Sequence, residues 1–122
     1  MKVYNKSIGS YGEDLAVNYI TNLGYIILQK NFKCKIGEID IVAKDSEYIV
    51  FAEVKTRYNN KYGMPCEAVT PYKQNKIFKT AQFYIMINNI NSFKFRFDVI
   101  EILLDYNNAE NHIRLIKNAF ML

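Results

Sequence analysis

The chain is poor in the residues that staple, break or anchor a fold. Its 122 residues include two cysteines, one histidine, two prolines, five glycines and no tryptophan. Cys34 and Cys66 form no C-x-x-C pair, and His112 lies far from both, so no zinc site is expected. Two reduced thiols in a cytosolic protein are the expectation. The opening "MKVYNKSIGSYGED" contains no apolar stretch of the secretory-signal kind. The longest apolar runs, such as "YIVFA", are far too short to span a bilayer. No repeat, low-complexity tract or Pro/Gly/Ser-rich linker divides the chain. Together these absences predict one domain over residues 1–122, soluble and cytoplasmic.

Half of the residues are hydrophobic. A domain of this size buries roughly two-thirds of its unfolded surface, so it needs neither disulfides nor a structural metal to fold. The net charge is +4 and the pI about 9.0. That balance permits a phosphate-rich partner without proving one.

Leu15, Ala16, Tyr19, Ile20 and Leu23 fall at helical spacing, which predicts a helix over Ser7–Leu23. Gly24 is a suitable stop. "YIILQKNFK", "IGEIDIVAK" and "EYIVFAEVK" read as strands over 25–33, 36–44 and 47–55, the last two joined by a tight turn at Asp45-Ser46. A loop is expected over 56–69. Thr70 then offers an N-cap with Pro71 at the first helical position, opening a helix that runs to about Asn89. "FKFRFDVIEILL" predicts a fourth strand, with Phe93, Phe95 and Phe97 alternating with Lys94, Arg96 and Asp98. Arg96 and Asp98 are expected to pair with each other or with neighbours. "HIRLIKNAF" predicts a fifth, edge strand. The order αβββαββ implies an α/β fold, a mixed sheet flanked by helices.

The anomaly lies in "GEIDIVAKDSEYIVFAEVKTR", residues 37–57. Glu38, Asp40, Glu53 and Lys55 interrupt two otherwise apolar strands. Side chains alternate across a strand, so Glu38 and Asp40 share one face, as do Glu53 and Lys55. An even-length turn at Asp45-Ser46 sets Glu38 opposite Glu53 and Asp40 opposite Phe51, and all four groups converge. An odd loop would separate them. Converging carboxylates repel and lose hydration, and one lysine neutralises only one of them. A divalent cation resolves the conflict. Mg²⁺ takes one or two carboxylates plus waters and substrate phosphates, and can drive phosphodiester hydrolysis. The rival reading is a solvated sheet face on which the charges simply pair.

An Asp on one strand, E-x-K on the next and a Glu on the preceding helix resemble the PD-(D/E)XK nuclease superfamily. Asp40 and Glu53-Val54-Lys55 carry that pattern. The fuller series "GEDLAVNYITNLGY", "NFKCKIGEIDIVA", "FAEVKTR", "YGMPCEAVTPYKQNKI" and "FRFDVIEI", in this order, resembles the small bacterial YraN-type family of endonuclease-like proteins. The likeness extends from about Gly12 to Phe120. It implies a restriction-endonuclease-like core, Asp40 and Glu53 as ligands of Mg²⁺ (or Mn²⁺), the Val54 carbonyl as a further ligand, and Lys55 as the catalytic lysine. Glu13 matches the first-helix Glu that Holliday-junction resolvases of the superfamily use. The superfamily's proline before the Asp is replaced here by Ile39.

Other residues read two ways. Ser10 to Glu13 fits a capping box, which would make Glu13 a helix cap; the resemblance favours a site role. Lys73, Gln74 and Lys76 open the second long helix, either as a solvated face or as nucleic-acid contacts beside a helix N-terminus. Arg57, Tyr58, Lys61 and Tyr62 are placed in the loop after the lysine strand. Basic groups interleaved with tyrosines there suit backbone contact and base stacking. Glu38 lies beside the minimal set, and His112 is assigned a structural role. The function expected is metal-dependent endonucleolytic cleavage of nucleic acid, DNA favoured, with branched or single-stranded forms among the substrates. A homodimer is compatible with cutting both strands. The alternatives are a nucleic-acid-binding module on a nuclease fold without cleavage, and a small assembly protein whose strand charges form salt bridges.

Overall fold

A computed structural model describes residues 8–59, 69–91, 94–105 and 111–120. The elements follow the expected order: α1 (Ile8–Asn22), β1 (Ile26–Lys33), β2 (Glu38–Asp45), β3 (Tyr48–Asn59), α2 (Pro71–Ile87), β4 (Lys94–Asp105) and β5 (Asn111–Ile116). The five strands form one mixed sheet in the order β1-β2-β3-β4-β5. Only β3 and β4 run parallel, with α2 as their crossover; the other pairs are antiparallel. As expected, β5 is an edge strand.

Both helices end where left-handed backbone is cheap. Gly24 sits at φ +104°. The Tyr25 N–H reaches the Ile20 carbonyl and the Gly24 N–H the Thr21 carbonyl, the paired bonds of a Schellman stop. Asn89, at φ +54°, closes α2 in the same way through Ile90 to Ile85 and Asn89 to Met86. At the other end of α2 the Thr70 hydroxyl accepts from the Lys73 N–H at 3.2 Å, and Pro71 follows it.

Apolar side chains cover both faces of the sheet. On one, Ala16 and Ile20 of α1 pack with Ile41, Ala43, Val50, Ala52 and Ile100. On the other, Ile77, Phe78 and Tyr84 of α2 pack with Ile39, Val42, Phe51 and Val99. Double coverage explains why β4 departs from simple alternation. Phe95 is 39% exposed, whereas Arg96 and Asp98 are buried. Arg96 and Asp98 do pair, at 2.9 Å. Arg96 also donates to Asp45 at 2.9 Å and to the Tyr25 hydroxyl at 2.6 Å. Burial first, and then Asp98, pushes the Tyr25 phenol above its ordinary range. The network ties the β2–β3 turn to β4 and the end of α1 to both.

Two expectations are corrected. The β2–β3 turn consists of Ser46 and Glu47, with Asp45 paired to Tyr48. The loop is even, but the register lies two residues from the expected one: Val42, not Asp40, faces Phe51. Ser46 supplies the positive φ (+56°) that the first position of a tight hairpin turn demands. Second, β3 continues to Asn59, in parallel register with β4 as far as Asp105. Arg57 and Tyr58 are therefore strand residues, not loop residues. Lys61, Tyr62, Cys66 and Phe93 lie outside the described residues.

Candidate metal centre at the β2–β3 fork

The ladder between β2 and β3 ends at Ile41 and Ala52. Beyond that point β2 pairs only with β1, through Phe32–Ile39 and Lys33–Glu38, while β3 pairs only with β4, from Glu53–Val99 onward. The two strands fork, and Asp40 and Glu53 stand at the crotch. The Val54 N–H, which a continued ladder would give to a β2 carbonyl, goes instead to Asp40 Oδ2 at 2.8 Å. A strand residue turns its N–H and C=O to the same edge. The Val54 carbonyl therefore also faces the gap.

Strict alternation breaks at Asp40. Ile39 belongs to the core under α2 and Ile41 to the core under α1. The partner position on β1 is Asn31, which has φ +54° and is skipped by the β1–β2 pairing on either side of it. Asparagine tolerates that left-handed conformation better than most residues. This paired irregularity turns Asp40 into the fork.

Glu13 arrives from α1. Ser10 and Glu13 both lie inside that helix, which starts at Ile8, so Ser10 is not its cap. Gly12 permits a close approach: a Cβ there would land on the Thr56 hydroxyl of β3. The Thr56 Oγ1 is buried under this contact without a hydrogen-bond partner. With the helix seated so closely, Glu13 reaches Asp40 and Asn31.

The electrostatics match the crowding. Burial, then the Asp40 charge and a hydrogen bond to Asp40, push the Glu53 carboxyl up to about 8, although Lys55 pulls the other way. The same causes, burial first and Asp40 next, raise Glu13, while the Asn31 side chain opposes them. Glu38 adds repulsion to both. A neutral Glu53 carboxyl relieves what would otherwise be stacked negative charge beside Asp40. Hard oxygen donors held this close suit a hard divalent cation. Among the described residues, no three His, Cys, Asp or Glu side chains already form a metal cage. Mg²⁺ asks for less: one or two carboxylates, with waters and phosphate oxygens completing the octahedron. Asp40, Glu53 and the Val54 carbonyl meet that requirement.

A cavity of about 400 Å³ opens from Glu53 toward α2, with Glu38 at its wall. Lys73 and Lys76 line it, joined by Lys33 of β1. Gln74 does not line it; its side-chain amide donates to the Val69 carbonyl at 2.8 Å and braces the start of α2. Arg57 lies two residues beyond Lys55 on the same strand, partly buried. His112 is exposed on edge strand β5, away from the fork.

Residues 12–102 match the Uncharacterised protein family UPF0102. The chain belongs to the UPF0102 family. It is 61% identical over 123 residues to a UPF0102 protein of Clostridium botulinum (strain Kyoto / Type A2), and 56% identical over 122 residues to one of Clostridium tetani (strain Massachusetts / E88). Each alignment covers 100% of both chains. The family match takes in Glu13, Asp40, Glu53 and Lys55, and so the whole fork.

Sequence reasoning missed three contributors. Asn31 was visible as a poor strand former in mid-strand. Gly12 was visible as a glycine inside a helical pattern. Lys33 gave no signal, because only the β1–α2 packing brings it beside Lys73 and Lys76.

Proposed function

We propose that the chain is a metal-dependent nuclease of the PD-(D/E)XK kind, on a restriction-endonuclease-like fold, hydrolysing phosphodiester bonds of DNA. One observation carries the reading: Asp40 and Glu53 meet at the mouth of a strand fork, where the Val54 N–H holds Asp40 at 2.8 Å and Lys55 follows two residues beyond Glu53 on β3. Asp40 and Glu53, with the Val54 carbonyl, would hold Mg²⁺ or Mn²⁺. When bound, such a cation polarises a phosphoryl oxygen and lowers the pKa of its water. Asp40 is held by the Val54 N–H, which fixes its carboxylate at the fork. Lys55 orients the attacking water and offsets charge on the phosphate. Glu13, itself held by Asn31 of β1, steadies Asp40 from the α1 side. Lys73 and Lys76 supply cations for the nucleic-acid backbone.

The test is incubation of purified protein with single-stranded, flapped and branched DNA in Mg²⁺ or Mn²⁺. The reading requires cleavage that chelator stops and that Asp40→Ala and Lys55→Ala each reduce by about 100-fold or more. Cleavage that survives both substitutions contradicts it. DNA binding that ignores metal but weakens steeply with salt, without cleavage, would favour a binding module instead.

A further inference from the structure

The cavity beside Glu53 is shaped and charged for more than a passing phosphate. It encloses about 400 Å³. Pockets of about 300–1,000 Å³ hold ligands of small-molecule size, and one nucleotide is such a ligand. A base pair still stacked in a duplex is not, because its bases cannot leave the stack without unpairing. Three lysines line the cavity from two elements, Lys33 at the end of β1 and Lys73 and Lys76 in the first turns of α2, facing the carboxyl residues Glu38 and Glu53 in the same lining. Ile77 and Cys34 are the apolar residues of its lining. Glu53 belongs to both the cavity and the fork, so the two are continuous. Cations for a backbone and an apolar wall for a base are the two parts of a single-strand site.

We propose that this cavity seats one unpaired nucleotide of the substrate strand, next to the scissile phosphate, with its phosphate held by Lys33, Lys73 and Lys76. The inference rests on the nuclease reading and narrows it. The substrate must offer an unpaired nucleotide at the cut, as single strands, flaps and open junctions do. A fully paired duplex cannot fill the cavity.

Cys34 provides a direct probe. Cys66→Ser leaves it as the chain's sole thiol. The measurement is the rate at which N-ethylmaleimide alkylates Cys34 in that variant, with Ca²⁺ as a divalent cation. Single-stranded DNA at about ten times its dissociation constant should slow alkylation about tenfold. A blunt duplex of the same sequence should leave the rate unchanged. Lys33→Gln and Lys73→Gln should weaken the protection and lower the salt slope of binding by about 0.7 each. Lys94→Gln, at an exposed lysine paired with Glu47 near the opposite end of β3, should change neither. Alkylation unaffected by bound single strand, or slowed equally by duplex, overturns the inference. The assay reads occupancy and not cleavage. Protection without any metal-dependent cleavage would retain the cavity's role and remove the nuclease reading; cleavage without protection would do the reverse.

Discussion

The Val54 N–H donates to Asp40 Oδ2 at 2.8 Å across a gap where the β2–β3 ladder has already ended. This bond replaces a ladder bond with a bond to a carboxylate. It fixes an acidic side chain at a sheet fork, beside a second carboxyl that is driven toward its neutral form. The consequences can be measured.

The first concerns Glu53 and pH. Its folded pKa, about 8, lies above its ordinary value of 4.5. Between these values the folded state binds more protons than the unfolded state, so stability falls as pH rises through this window. The stabilisation is complete below about pH 4.5 and gone above about pH 8. Without metal, Glu53→Gln should be more stable than the parent at pH 8.5 by on the order of 1–3 kcal/mol, and close to it at pH 4. Urea denaturation at the two pH values checks this. Equal stability at pH 8.5 would mean that Glu53 is not held neutral.

Cation binding should expel that proton. Ligand carboxyls must be ionised, so affinity for Mg²⁺ should rise with pH up to about 8 and level off. Calorimetry at pH 7 in two buffers of different ionisation enthalpy should show proton release on Mn²⁺ binding. Glu53→Gln should abolish the buffer dependence.

Gly12→Ala tests the α1 contact. In an exposed helix this change gains up to about 1 kcal/mol. Here the new Cβ falls on the Thr56 hydroxyl. The expected result is a net loss of about 1–3 kcal/mol, with weaker Mn²⁺ binding as Glu13 is pushed from Asp40. A raised melting temperature would show that α1 has room to spare.

Arg96→Met tests the polar network at the other end of β3. It leaves Asp98 fully buried without its guanidinium, though the Tyr25 hydroxyl and the Asn118 N–H still donate to it. Removing one member of a buried pair costs about 3–5 kcal/mol. Urea unfolding should show a loss of that size. Near-parental stability would mean that water replaces the guanidinium.

Much of the fold is legible because its signals are local. Gly24 stops α1, Thr70-Pro71 starts α2, and apolar periodicity marks the five strands. The carboxylates at 38, 40 and 53 are legible as a group because they offend the strand pattern. How they converge is not. Parity in a flat hairpin places Asp40 opposite Phe51, whereas the molecule shifts the register by two, breaks the pleat at Asn31 and Asp40, and splits the ladder beyond Ala52. Those features depend on tertiary packing: which core takes Ile39 and which takes Ile41, and how closely α1 seats on Gly12. The extension of β3 to Asn59 was hidden for the same reason. Thr56 and Tyr58 suit a strand, but Thr56 to Asn59 show no apolar alternation and are held by parallel pairing to β4 residues 46 positions away in sequence.

The central claim is that Asp40 and Glu53 form one divalent-cation site. Anomalous diffraction from a crystal soaked in Mn²⁺ tests it most directly. The account predicts a peak within coordination distance of both carboxylates and of the Val54 carbonyl, and its loss in Glu53→Gln. A structure with Mn²⁺ bound elsewhere and none between Asp40 and Glu53 would contradict it.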